Sequence, residues 1–518
     1  MMKANQSLVE LQLIRDHSIY VLNPLFRLRN EFDYVLIYGF QGIGTWRLHR
    51  SYGVLTTLFD GCRTILDIAN IVSPMVDADD IFPEHKLSIA LNFVKSFVAL
   101  MSKSKAEQMG RSNVNSSFPS ESLLLLQEDA TRLYADQNMF HISYSTDDFL
   151  PSKSRLAANG PFHLIRDSVP HILNWHLTSS CSTDCRYCYL GRRTNIVPMH
   201  LERIFSLIEE SIRIGVFSIE LLGGDVMLYP YLIDVMQKLH QHQFLPMTLS
   251  TKSFVSLNVA NSLGKLKELI YEMQFSIDTD DDMIARQLVG TANFPETIFE
   301  SIDNAVHTGL NVTAKSVITP YNIFTIPRLY RKLRQHGVQK IRLAAYSRSG
   351  FHHSDDLFLA PEHFEWLYRE IEQLNSEFPQ DQIQLQNGQA GLEPRSLESL
   401  KESWSLRSLC TAGRSTLMIC SDGKVIPCEQ MPETEEYFCG DVSKQSIMEV
   451  WNGDKLKEMT YGMPHEKFKG QPCYNCEEQE DCLDHMGICI RDLAVHYGNI
   501  YQPPPNCYRN ILPFVRQT

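Results

Sequence analysis

The spacing of apolar and polar positions divides the chain into three patterned regions. In the first, residues 19–22, 25–28 and 34–37 are short apolar runs rich in β-favouring side chains, with Asn/Pro and Asn/Glu breaks between them. Helical spacing follows at 51–59, at 64–71 after the Asp60-Gly61 break, and at 86–101. Three short strands and then three helices outline a winged-helix-like α+β module over residues 1–105. Residues 106–122 are rich in Ser and Asn and read as a linker, and the apolar runs from Leu123 onward read only as a bridge, so 106–165 connects two domains.

From His171 the pattern alternates. Strands are expected at 171–177, 218–222, 247–250, 273–277, 312–318 and 341–345. Between and after them, Leu201, Ile204, Phe205, Ile208 and Ile212 mark one helix face, and further helices are expected near 231–240, 296–308, 326–336 and 361–376. Such β/α repeats predict a parallel sheet covered by helices, an α/β fold in which residues 166–385 form a partial (β/α)6 TIM-like barrel. Chemistry in such sheets sits at the C-terminal strand ends. A cysteine loop follows the first of these strands and Gly223-Gly224-Asp225 the second. After Trp404 the periodicity fades into cysteines, glycines and turns, so residues 386–518 are expected to need metal ligation to fold.

Composition narrows the class. A chain of 518 residues, 43% hydrophobic and 21% charged, is a globular protein of several domains. A formal charge of -13 without a long Lys/Arg run argues against nucleic-acid binding. No apolar stretch reaches the roughly 18 residues of a membrane span, and the N-terminus lacks the order of a signal peptide, which makes a cytoplasmic protein the expectation. In a reducing compartment clustered cysteines favour metal over disulfides. Of 13 cysteines only Cys62 stands apart from the two groups that start at Cys181 and Cys410, and it reads as a packing residue.

Cys181, Cys185 and Cys188 form C-x3-C-x2-C, with Tyr187 just before the last. Three thiolates can hold three irons of a cubane cluster and leave the fourth iron open to a small molecule. A zinc site completed by His176 or His200 is the alternative. Loop and position together resemble the radical S-adenosylmethionine (SAM) superfamily. The resemblance implies a [4Fe–4S] cluster whose open iron chelates SAM, with Gly223, Gly224 and Asp225 contacting the SAM amino group. It also implies a cofactor-contacting role for Tyr187, a ribose contact at Ser276 and Asp278 after the fourth strand, and a polar contact at Arg286. The implied chemistry is reductive cleavage of SAM to a 5′-deoxyadenosyl radical, fed by an external donor of flavodoxin or ferredoxin type.

The second group runs Cys410, Gly423, Cys428, then Cys473-x2-Cys476-x5-Cys482, Cys489 and Cys507. This order resembles the SPASM extension of radical SAM enzymes, which holds two auxiliary clusters; zinc knuckles are the alternative. By position the resemblance puts Cys473, Cys476, Cys482 and Cys507 on one cluster, and Cys410, Cys428 and Cys489 on the other. The fourth place there is left to Cys420, to an open site or to a substrate thiolate, and Cys439 is a further candidate. Six residues separate Cys482 from Cys489 where the family usually has three, which puts Cys489 in doubt.

Tyr20-Val-Leu-Asn-Pro24 and the segment from Leu58 to Ala69 resemble the peptide-recognition module of ribosomal natural-product pathways, which captures a leader peptide as an added strand. A regulatory winged helix is the alternative. Together these resemblances imply a maturase of a ribosomally made precursor peptide, with thioether formation between a Cys sulfur and a carbon of another residue as the preferred reaction. Other cross-links, epimerisation, maturation of a folded enzyme, and a non-catalytic iron–sulfur electron carrier stay open.

Overall fold

The computed structural model describes residues 14–31, 34–39, 44–76, 83–102, 122–134, 144, 166–191, 196–381, 383–386, 397–407, 409–480, 482–483 and 487–509. The Ser/Asn-rich linker therefore lies outside the described residues, apart from Ser122. The chain divides into two compact units, Met1–His163 and Leu164–Thr518.

The first unit contains β1 (Ile19–Leu22), β2 (Phe26–Asn30), β3 (Tyr34–Gly39), β4 (Gly44–His49), α1 (Arg50–Thr57), β5 (Asp60–Thr64), α2 (Ile65–Val72), α3 (Pro83–Met101), β6 (Leu124–Leu126) and α4 (Gln127–Tyr134). Strands β2, β3 and β4 make one antiparallel sheet, with Leu28 opposite Ile37 and Ile37 opposite Trp46. A second sheet runs β5-β1-β6. Phe26, Leu28, Val35 and Ile37 face a core shared with Ile68 of α2 and Val94 and Phe97 of α3. Strands β4 and β5, which the apolar pattern did not predict, carry few aliphatic residues and owe their place to pairing. Strand β5 also corrects the reading of Cys62. Its thiol is exposed, because alternation along the strand turns Gly61 inward and Cys62 outward. Leu123 and Leu124 return to this core, and β6 pairs with β1, so the start of the predicted bridge belongs to the first unit.

The second unit contains β7 (Ile172–Thr178), α5 (Leu201–Ile214), β8 (Ser218–Gly223), α6 (Leu232–Gln241), β9 (Met247–Thr251), α7 (Leu257–Gly264), β10 (Ile270–Ser276), α8 (Asp282–Val289), α9 (Phe294–His307), β11 (Val312–Ile318), α10 (Ile326–Gln335), β12 (Lys340–Ala345) and α11 (Pro361–Glu377). The six expected strands follow one another in space as in sequence. Parallel ladders join β7 to β8 and β9 through β12, while β8 and β9 lie side by side, tied through Asp225 and Thr251. This is the expected partial barrel. Between the barrel strands, α7 and α8 went unpredicted: they are eight residues each, started by the caps Ser256 and Asp281 rather than by a long apolar face.

The cysteine-rich region continues the same structure. Short β13 (Leu385–Gln386) borders β12, and α12 (Leu397–Ser405) follows. Strand β14 (Thr416–Ile419) then pairs in parallel with the outer edge of β7, with Met418 opposite Asn174. Antiparallel β15 (Lys424–Ile426) and β16 (Gly440–Asp441) extend it. Leu417, Ile419, Val425, Val450 and Trp451 belong to the barrel core, so apolar packing holds this region more firmly than its pattern suggested. Among the described residues no helix is long and apolar enough to cross a membrane.

The N-terminus of α2 carries a capping box, in which Thr64 accepts from the Asp67 amide and Asp67 from the Thr64 amide. Thr64→Ala should destabilise the first unit by about 1 kcal/mol. Faster amide exchange across residues 65–72 of the full chain is the expected reading, with exchange in the barrel unchanged.

Candidate functional site

A cavity of about 470 Å³ opens at the C-terminal ends of the barrel strands. Cys181, Cys185, Tyr187, Cys188, Gly223, Gly224, Asp225, Ser276 and Asp278 all line it. The loop carrying the three cysteines leaves β7 and is pinned from several sides. Gly224 donates its amide to Thr178 O at 2.8 Å and Asp225 to Ser180 O at 2.8 Å. The amides of Asp184 and Arg186 bond the carbonyls of Val289 and Leu288, at the end of α8. A Cβ on Gly224 would stand 2.3 Å from Ser180 O, so only glycine lets the two chains approach this closely. The Thr183 hydroxyl lies 3.3 Å from Cys181 Sγ and 3.5 Å from Cys185 Sγ.

The cavity acids are largely spoken for. Asp225 accepts from Thr251 Oγ1, from the Met227 amide and, at 2.7 Å, from the Lys252 amide. Asp278 is 1% exposed; it accepts from the Val317 amide at 2.8 Å, from Lys252 Nζ at 2.9 Å, and from the Tyr187 hydroxyl. Lys252 Nζ also lies 3.0 Å from that hydroxyl. Burial, with Asp278 beside it, drives the Tyr187 hydroxyl well above its usual pKa. Burial likewise raises the Cys185 thiol, and Lys252 is the main charge working against that. The structure thus gives Asp278 partners within the protein where a ribose contact was expected. Arg286 is not brought to the cavity: it lies on an outward face of α8, 2.8 Å from Asp282. His176 is buried against Glu433 at 3.0 Å and His200 is exposed, and neither lines the cavity.

The later cysteines form two neighbourhoods. Burial pushes Cys473 up to about 12, and its charged neighbours are Cys507, Cys482 and Cys476. Cys489 is exposed, with Cys410 and Cys428 near it. Gly487, with a φ of +72°, brings the backbone close to Cys410 two residues before Cys489. Cys420 and Cys439 pack in the hydrophobic core, Cys439 with its thiol 3.3 Å from Val425 O. Among the described residues no three His, Cys, Asp or Glu side chains could hold one metal ion.

Residues 175–333 match the radical SAM superfamily, and residues 410–477 match the SPASM iron–sulfur cluster-binding domain. The chain is a radical SAM enzyme with a SPASM domain. Its cofactors are [4Fe–4S] clusters and SAM. Curated relatives include a probable GTP 3',8-cyclase of Methanopyrus kandleri, 25% identical over 220 residues, covering 41% of this chain and 69% of that one. A PqqA peptide cyclase of Methylorubrum extorquens is 21% identical over 344 residues, covering 64% of this chain and 83% of that one. Among solved structures, Streptococcus suis SuiB bound to S-adenosylmethionine superposes with a TM-score of 0.59 at 14% identity, over 94% of this chain and 100% of that one. SuiB bound to precursor peptide SuiA gives 0.58 at 15% identity, over 94% and 100%. These structural likenesses concern the fold.

Sequence reasoning missed Lys252, which directly follows the C-terminal end of β9 on the cavity wall. It also missed Lys315 and Glu429 on the cavity wall, neither of whose charged groups has a hydrogen-bond partner among the described residues. Gly224→Ala should displace the cysteine loop. The variant is expected to lose roughly a third of its iron on anaerobic reconstitution, and iron analysis with Mössbauer spectroscopy checks this.

Proposed function

We propose that this enzyme modifies a ribosomally made precursor peptide by radical chemistry at the barrel mouth, forming a thioether. The observation that carries the reading is the shared cavity. The SAM-type cysteine loop, the Gly-Gly-Asp turn and Glu429, next to Cys428, all line one space. Likeness to the PqqA peptide cyclase, and to the fold of SuiB, which has been solved with its precursor peptide, supports a peptide substrate. In this reading Cys181, Cys185 and Cys188 hold the SAM-binding cluster, and the backbone of Gly223–Asp225 and the Ser276 side chain hold SAM. Cys473, Cys476, Cys482 and Cys507 bind one auxiliary cluster; Cys410, Cys428 and Cys489 bind the other.

When bound, the first cluster and SAM supply a 5′-deoxyadenosyl radical after one electron arrives from a flavodoxin- or ferredoxin-type donor. The protein's part is to orient the peptide and exclude water. Asp225 braces the Gly-Gly-Asp turn against β9, and Asp278 holds Tyr187 and Lys252. Lys315 and Glu429 remain to face the substrate. The first unit binds the leader as a strand added to a sheet edge. In the net reaction a peptide C–H and a Cys S–H are lost and a C–S bond forms. One hydrogen atom goes to the deoxyadenosyl group. The remaining proton would pass to solvent, and the auxiliary cluster that Cys410, Cys428 and Cys489 would hold would supply the acceptor for the remaining electron. Ring closure through another bond is the second reading, favoured by the relatives named PqqA peptide cyclase.

Reconstituted enzyme should contain about 12 irons per chain and release 5′-deoxyadenosine when reduced with SAM. The Cys181→Ala, Cys185→Ala, Cys188→Ala triple variant should keep about 8 irons and release none; total loss of iron would contradict separate sites. With its precursor peptide, the enzyme should yield a product lighter by two hydrogens, with one thiol fewer to alkylate. Loss of two hydrogens with every thiol still alkylated would favour the other bond.

A further inference from the structure

Lys252 is the one lysine of the cavity wall whose ammonium is tied down. Its side chain is 15% exposed, lying 2.9 Å from Asp278 Oδ2 and 3.0 Å from the Tyr187 hydroxyl, while its own amide is fixed by Asp225. Three elements therefore meet at this residue: the end of β9, the end of β10 and the cysteine loop. Cys181, Cys185 and Cys188 line the same cavity as Lys252, and Tyr187, whose hydroxyl the ammonium meets, stands next to Cys188 in the loop.

A four-iron cluster held by three thiolates is negatively charged and gains a further negative charge on reduction. A fixed cation nearby stabilises the reduced form more than the oxidised form, strongly so where little water screens it. We propose that Lys252 is a positioning residue that sets the reduction potential of the SAM-binding cluster, holding it high enough for a protein donor to reduce, with Asp278 as the countercharge that fixes its position. The inference rests on the reading that Cys181, Cys185 and Cys188 hold that cluster. A pair that served only to brace the loop would leave the potential unchanged.

The test is a potentiometric titration, followed by electron paramagnetic resonance, of the full-length reconstituted enzyme. The SAM-binding cluster is recognised as the signal that SAM alters, and the auxiliary clusters serve as internal references. Lys252→Met should shift the SAM-responsive potential downward and leave the auxiliary potentials in place, and Lys252→Arg should restore it. Asp278→Asn, which removes a negative charge while keeping the lysine, should shift it upward. Opposite signs for the two variants support the proposal. No shift, or shifts of the same sign, overturns it. Should Lys252→Met fail to assemble the first cluster, Asp278→Asn decides alone: an upward shift supports the proposal, and no shift or a downward one overturns it. Absence of any SAM-responsive signal in the unaltered enzyme would instead defeat the assignment of the cysteine loop.

Discussion

Two backbones meet at Ser180 and Gly224 with no room for a side chain between them, and the site is built around that contact. The turn after β8 is pressed onto the start of the cysteine loop, with the Asp225 amide closing the contact on Ser180 O. From there Asp225 reaches across to β9 through Thr251. Lys252, next in the chain, reaches to Asp278 at the end of β10, and Asp278 takes the Val317 amide of β11. One close approach thus begins a chain of bonds around the rim of the barrel. Three thiols on a short loop acquire fixed positions because the rim, rather than the loop itself, is rigid.

This arrangement uses carboxylates as struts. Asp225 and Asp278, the residues a motif-based reading assigns to cofactor contacts, spend their oxygens on neighbouring strands. A similar economy holds deeper in the barrel, where Glu272 joins Thr248 of β9 to Arg342 of β12. Buried ions of this kind are costly to leave unpaired, so each removal is felt well beyond one contact. What Gly223, Gly224, Asp225 and Ser276 leave free towards the cavity is then mostly backbone and the Ser276 side chain.

Much of this was legible in the sequence, for a physical reason. Short β-favouring runs alternating in order with amphipathic helical segments read as β/α repeats, as at 312–318, where predicted and observed limits coincide. The cysteine groups were legible because ligand spacing is local or follows a fixed order. Elements defined by their partners were not. Strand β4, Gly-Thr-Trp-Arg-Leu-His, has little strand signal until it lies beside β3. Lys252 was missed because nothing in the sequence marks a lysine as buried; its partner Asp278 is 26 residues away. Arg286 was misplaced although its pairing with Asp282, four residues earlier on one helix, is a pattern that sequence does show.

The pairing of β14 with β7 has a consequence for how the protein is made. Contacts at this seam join residues as far apart as Arg166 and Gly413, 247 positions along the chain. A ribosome adding about 5–20 residues per second delivers β14 roughly ten seconds to a minute after β7 has emerged. Throughout that interval the first barrel strand offers an unpaired row of peptide groups to any neighbouring chain. The SPASM region is therefore also the barrel's last stave, covering that row only when it arrives.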